Sequence, residues 1–139
     1  MNDENLRKLS PVMLFLALIF FSINLKSQEL YFCREYKNDK EIGRSTLFTF
    51  PSTGGTLSIV YKNEEAIKLK KVTLKVMRID CGKYEFVSKQ DFEVDSESAY
   101  LHFDDVRFEK DGIYRVSLMK PNNDIIVSGL VEIVHIRTK

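Results

Sequence analysis

The chain has 139 residues, with 21 Lys and Arg against 20 Asp and Glu, two cysteines and no tryptophan. So even a balance gives no bulk field to draw in nucleic acid or an anionic membrane, which argues against both partner classes. The length allows one domain.

Arg7 and Lys8 precede an apolar run from Val12 to Ile23, and polar Asn24, Lys26, Ser27 and Gln28 follow it. A charged start, a short apolar segment and a small residue at the cut describe a secretory signal peptide. Cleavage after Ser27 is expected, because the run is shorter than the roughly 20 apolar residues that span a bilayer. Cys33 follows Leu30, Tyr31 and Phe32 rather than the small residues that precede a lipidated cysteine. The expectation is therefore a signal peptide over residues 1–27 and a secreted or periplasmic domain over residues 28–139, with no membrane span after cleavage. Losing Arg7, Lys8 and Lys26 together with Asp3 and Glu4 leaves the remainder formally neutral.

In an oxidising compartment the remaining cysteines, Cys33 and Cys81, can form a disulfide or serve as small apolar residues. Charge is segregated along the chain. Lysines and Arg78 dominate from Lys62 to Lys83, and carboxylates dominate from Glu85 to Asp111. Neighbouring strands with opposite solvent faces explain that pattern, and so does a charged docking surface.

Taken in chain order, Glu29 to Tyr36 reads as an aromatic strand, and Lys37 to Lys40 as its turn. Glu41 to Phe50 is an extended segment with a kink at Gly43 and with Leu47, Phe48 and Phe50 near the core. Pro51 to Gly55 is a turn. Thr56 to Lys62 alternates, with Leu57, Ile59 and Tyr61 on one face. Asn63 to Lys68 is a loop or a single helical turn. Lys70 to Asp80 is a strand whose apolar parity changes after Val76, which calls either for a bulge there or for a strand apolar on both sides at its far end. Cys81 to Lys83 is a hairpin turn, and Tyr84 to Val94 is the returning strand, with Tyr84, Phe86, Phe92 and Val94 expected to point inward. A short strand from Tyr100 to Phe103 follows. The acidic stretch from Asp105 leads into a strand in which Tyr114, Val116 and Leu118 share one face and Arg115 and Ser117 the other. Pro121 to Asp124 turns the chain into a last strand, Ile125 to Ile136, which is apolar on both faces.

Short strands punctuated every 8 to 12 residues or so predict an all-β, antiparallel two-sheet sandwich of about seven to nine strands. Within it Gly112, Tyr114 and Val116 resemble the tyrosine corner of immunoglobulin-like and fibronectin type III-like domains of exported bacterial proteins. The resemblance implies that the Tyr114 hydroxyl bonds back to upstream backbone and fixes a crossover between sheets. Val116 stands where immunoglobulin domains place a disulfide cysteine, and no tryptophan pins the core, so the likeness is to the wider class.

Chemistry is sparse. His102 and His135 do not form a spaced ligand pair, while zinc needs three or four ligands. Asp104, Asp105, Glu109 and Asp111 lack the alternation of a calcium loop. No serine lies in a G-x-S-x-G arrangement, and Cys33 sits among aromatics that disfavour a thiolate. No helix follows Gly54 and Gly55 to cradle a phosphate. No catalytic, cofactor-binding or metal-binding residue is assigned.

The expectation is a non-enzymatic interaction module for a protein or surface partner, with the outer side of the last strand, Leu130, Val134 and Ile136, as a candidate face. The alternatives are a small-molecule-binding β-barrel and a secreted hydrolase inhibitor that uses the turns Pro51 to Gly55 and Pro121 to Asp124.

Overall fold

A computed structural model describes residues 27–137, so the expected signal peptide lies outside the described residues except for Ser27. The described residues form ten strands: β1 (Glu29–Cys33), β2 (Glu35–Lys37), β3 (Lys40–Ile42), β4 (Leu47–Phe50), β5 (Gly55–Lys62), β6 (Lys71–Asp80), β7 (Lys83–Glu93), β8 (Tyr100–Phe108), β9 (Gly112–Met119) and β10 (Ile125–His135). Among these residues no helix is long and apolar enough to cross a membrane.

Strands β1, β5 and β8 make a three-stranded sheet, and β4, β10, β9, β6 and β7 make a five-stranded one, in those spatial orders. All pairings in them are antiparallel except β4 with β10, which is parallel. The inward faces of the two sheets share one core in a sandwich-like arrangement. Leu30, Phe32, Leu57, Ile59, Tyr61, Phe103 and Phe108 come from the smaller sheet, and Phe48, Val72, Leu74, Val76, Val116, Leu118, Val131 and Ile133 from the larger. Each such side chain contributes roughly 1.5 to 3 kcal/mol by leaving water. Gly129 lets the two layers approach closely, since a Cβ there would lie 2.9 Å from the Leu30 carbonyl oxygen.

Two of the ten strands come from splits the sequence did not show, one in the segment from Glu29 to Tyr36 and one in the segment from Glu41 to Phe50. The aromatic segment from Glu29 breaks at Arg34, and β2 and β3 form a separate hairpin. Its turn residues Asn38 and Asp39 both have positive φ, 52° and 58°, the backbone that a two-residue hairpin requires. The hairpin lies over the outer face of the three-stranded sheet, where Tyr31, Cys33 and Val60 form a second small core beside Tyr100. Tyr31 and Tyr100 both donate hydrogen bonds to Glu41 Oε1, the latter at 2.6 Å. The Arg44 guanidinium lies 3.7 Å from the centre of the Tyr31 ring. Burial, and then the Glu41 carboxylate, push the Tyr31 hydroxyl up to about 12. Burial works against ionisation of Glu41, but the Tyr100 and Tyr31 hydroxyls, Arg44 and Lys62 outweigh it and hold the carboxyl below its usual range.

The bulge expected in β6 is absent: its register with β9 runs unbroken from Thr73 to Ile79, so Met77 and Ile79 lie on the outer face and the strand is apolar on both sides at its far end. The irregularity belongs to β7. Val76 pairs with Ser88 and Met77 with Phe86, so Val87 of β7 is the extra residue. One inserted residue reverses the facing of everything beyond it. Phe92 therefore packs against the core, whereas Tyr84 and Phe86 point outward, 55% and 60% exposed, contrary to the inward placement expected for them. Leu47 likewise faces out, because β4 buries Phe48 and Phe50. Strand β8 is longer than expected. Asp105, with φ of 57°, lies where the β5–β8 register shifts between Leu57 and Ile59, and the strand resumes to Phe108.

At the passage from β8 to β9 the chain crosses from one sheet to the other. Tyr114 is buried, donates a 2.6 Å hydrogen bond to the Lys110 carbonyl, and meets Phe108 edge-on at 5.0 Å. Gly112 has φ of 134°, and a Cβ there would press on Arg78 Nε at 3.0 Å. Replacing Tyr114 by Phe deletes one hydrogen bond to a carbonyl and should cost about 1 to 2 kcal/mol in urea unfolding without changing the native fold by circular dichroism. The hairpin clasp predicts a pH dependence. Glu41 has a depressed folded pKa, so its contribution is present above the unfolded value of about 4.3 and is lost as pH falls through the folded one. Glu41→Gln should lower Tm at pH 7, and the gap to the native chain should close in acid, as read by thermal melts across pH.

Candidate functional site

Alternation gives every strand of the five-stranded sheet an outer face, and register lines those faces up. Leu47 on β4 sits beside Glu132 on β10, then Ile113 on β9, Ile79 on β6 and Tyr84 on β7. The next row runs Leu130, Arg115, Met77 and Phe86. Leu47, Leu130, Val134, Ile113, Tyr84 and Phe86 are exposed and Met77 and Ile79 half-buried, with Glu132 and Arg115 set among them. Large exposed apolar patches are uncommon on monomeric surfaces. Leu130, Val134 and Ile136 were expected on this side and lie exposed. Leu47, Tyr84 and Phe86 were placed inward by the sequence, and Ile113 could have been found from its parity with Arg115.

Toward one end of the same face lies an open groove of about 600 Å³, bordered by Lys75, Met77, Tyr84, Lys89, Arg115 and Ile125. A second cleft, about 370 Å³, opens beside the crossover. Its charges are mutually engaged, with Arg78 3.3 Å from Glu85 and 3.6 Å from Asp80, Lys110 3.3 Å from Glu85, and Arg107 3.2 Å from Glu109.

The polar cluster by the hairpin has a different character. Asp104 accepts from Ser58 Oγ at 2.8 Å and contacts His102 Nδ1 at 3.0 Å, while Tyr36 stacks on the imidazole at 3.9 Å between ring centres. The carboxylate stands between hydroxyl and imidazole, so the histidine does not hold the serine proton as a nucleophile's base would. His135 Nε2 lies 2.8 Å from the Glu109 carbonyl oxygen and ties the last strand to the crossover. Among the described residues no three of His, Cys, Asp and Glu are grouped so as to hold a metal.

The bridge envisaged between Cys33 and Cys81 is not formed. Cys33 belongs to the small core under the hairpin, on the side of its sheet away from the main core. Cys81 is exposed in the β6–β7 turn of the other sheet. The Cys33 thiol donates weakly to the Ser58 carbonyl at 3.7 Å, and burial raises its pKa. The two turns proposed as inhibitor loops lie at opposite ends. Because β4 runs parallel to β10, Pro51 to Gly55 leaves from the end that β10 reaches, and Pro121 to Asp124 from the end where it begins.

A thiol count should return one reactive group in the native protein, Cys81, and two after denaturation; a count of zero in the non-reduced denatured protein would establish a bridge. Compared with known proteins, the chain matches no protein-family model and no curated protein.

Proposed function

We propose that this chain is an exported, non-enzymatic interaction module of the immunoglobulin-like sandwich class, and that it docks a protein partner on the outer face of the five-stranded sheet. The observation that carries the reading is the set of apolar side chains on that outer face: Leu47, Leu130, Ile113, Tyr84 and Phe86 are exposed on four of the strands, and Met77 and Ile79 are half-buried on β6 between them. The contrast with the other outer face supports it. There the chain's own hairpin covers Tyr31, Cys33 and Val60, whereas nothing in the described residues covers the larger sheet. The Tyr114 hydrogen bond to Lys110 supports the immunoglobulin-like class, as does the order of strands in the two sheets. The apolar run before Ser27 supports export.

Pairing of a partner strand along the edge of β7 is the less favoured mode. That edge carries the Val87 bulge and Lys83, Glu85, Lys89, Asp91 and Glu93, features that blunt an edge against added strands. Docking on the face instead uses side chains, with the apolar residues as its centre.

The test compares affinity capture from the exported fraction by the native domain and by Leu130→Asp. Leu130 is 57% exposed, so the variant should keep its Tm within about 0.5 kcal/mol equivalent of native stability. A partner retained by the native chain should be lost, with at least about a tenfold drop in affinity. Undiminished capture of the same partner by the Asp variant would rule this face out.

A further inference from the structure

The groove on this face contains an electrostatic arrangement that folding alone does not explain. Lys75 and Lys89 are directly opposite each other across β6 and β7 on the outer side, and Arg115 stands in the next row beside Met77. Like charges facing one another across a strand pair are destabilising. Among the described residues none of these three cations is in an ion pair. Lys89 Nζ has a long 3.4 Å contact with Asn123 Oδ1. The neighbouring carboxylate, Asp91, is committed elsewhere: it accepts from Thr73 Oγ1 at 2.6 Å and lies 3.6 Å from Lys71, feeling Lys89 only as one of several cations. Glu132, the carboxylate on the adjoining row of β10, pairs across the strands with Ile113 and Leu47 rather than with Arg115.

The site thus presents three cations about an apolar floor of Met77, Tyr84 and Ile125. Strands stand about 4.8 Å apart and rise about 3.4 Å per residue, which sets Lys89 and Arg115 about 12 Å apart. Four residues of extended peptide cover about 13 Å, and residues i, i+2 and i+4 of such a peptide share a face. The groove is open along the sheet surface, whereas pockets for small ligands bury most of the ligand. An extended chain that continues past Arg115 onto Leu130, its neighbour in the same row, fits that shape better.

We propose that the groove binds a short acidic segment of a partner protein, with carboxylates at i and i+4 over the Lys75–Lys89 pair and Arg115 and an apolar side chain at i+2 on Met77. This rests on the docking face proposed above and names the chemistry of what occupies it. The two lysines then face each other across a carboxylate, and their repulsion in the free protein becomes attraction for the ligand.

The experiment uses a blocked, dye-labelled peptide, Glu-Ser-Leu-Ser-Glu, and its counterpart with both Glu replaced by Gln, titrated by fluorescence anisotropy at low and at physiological salt. The acidic peptide should bind the native chain, weaken as salt rises, and outcompete the Gln peptide by about tenfold or more. Lys75→Gln combined with Lys89→Gln should lose that preference while melting at the same or a higher temperature, since it removes a like-charge pair. Equal binding of the two peptides, or none by the acidic one, would overturn the proposal. So would octanoate displacing the peptide with comparable affinity, which would mark a small amphiphile as the ligand, or sedimentation of the native chain as a dimer that excludes the peptide. If the peptide fails while Leu130→Asp still abolishes partner capture, the acidic segment is wrong and the docking face stands; if Leu130→Asp also has no effect, both fall.

Discussion

Where β8 gives way to β9 the chain leaves one sheet for the other, and the geometry of that passage is held by the buried Tyr114. Its ring meets Phe108 from the three-stranded sheet edge-on, its hydroxyl closes onto the Lys110 carbonyl, and its backbone opens the central strand of the larger sheet. Because β9 pairs with both β6 and β10, its placement sets the register of the whole five-stranded sheet relative to the core. A tyrosine suits the position: burying the ring contributes apolar area, and the hydroxyl satisfies a carbonyl that the turn would otherwise leave without a partner.

With the core shared between two inward faces, the outer faces become the variable part of the molecule, and the chain treats them differently. The three-stranded sheet is covered from within by the β2–β3 hairpin, fastened by Glu41 to Tyr31 and Tyr100 and by the stacking of Tyr36 on His102. That cover makes buried residues of Ser58 and Val60, which alternation alone would leave in solvent. The five-stranded sheet has no such cover among the described residues, and its outer surface combines apolar residues with cations that lack carboxylate partners. Stability would favour polar residues and balanced charge there, so this face retains a cost that the covered face does not.

Much of this was legible in the sequence because a strand has a period of two. The alternation in Thr56 to Lys62 and in Tyr114 to Leu118 named core residues that are buried, and the turn residues between strands marked most boundaries. The last strand showed apolar residues on both sides, and its outer set, Leu130, Val134 and Ile136, is exposed. The change of parity after Val76 suggested a bulge in β6, whereas the extra residue is Val87 of its partner β7. That choice belongs to the pairing, and it decides whether Tyr84 and Phe86 are core or surface.

The all-β class, the inward faces of the central strands and the corner at Gly112 and Tyr114 follow from local pattern, since each depends on residues near one another in the chain. The separation of β2 and β3 as a covering hairpin, the isolation of Cys33 from Cys81 and the convergence of Lys75, Lys89 and Arg115 depend on which strands lie side by side. Sequence spacing does not encode those neighbours. They are set when non-local strands pair and two apolar faces close on each other, and only then do distant side chains become a surface.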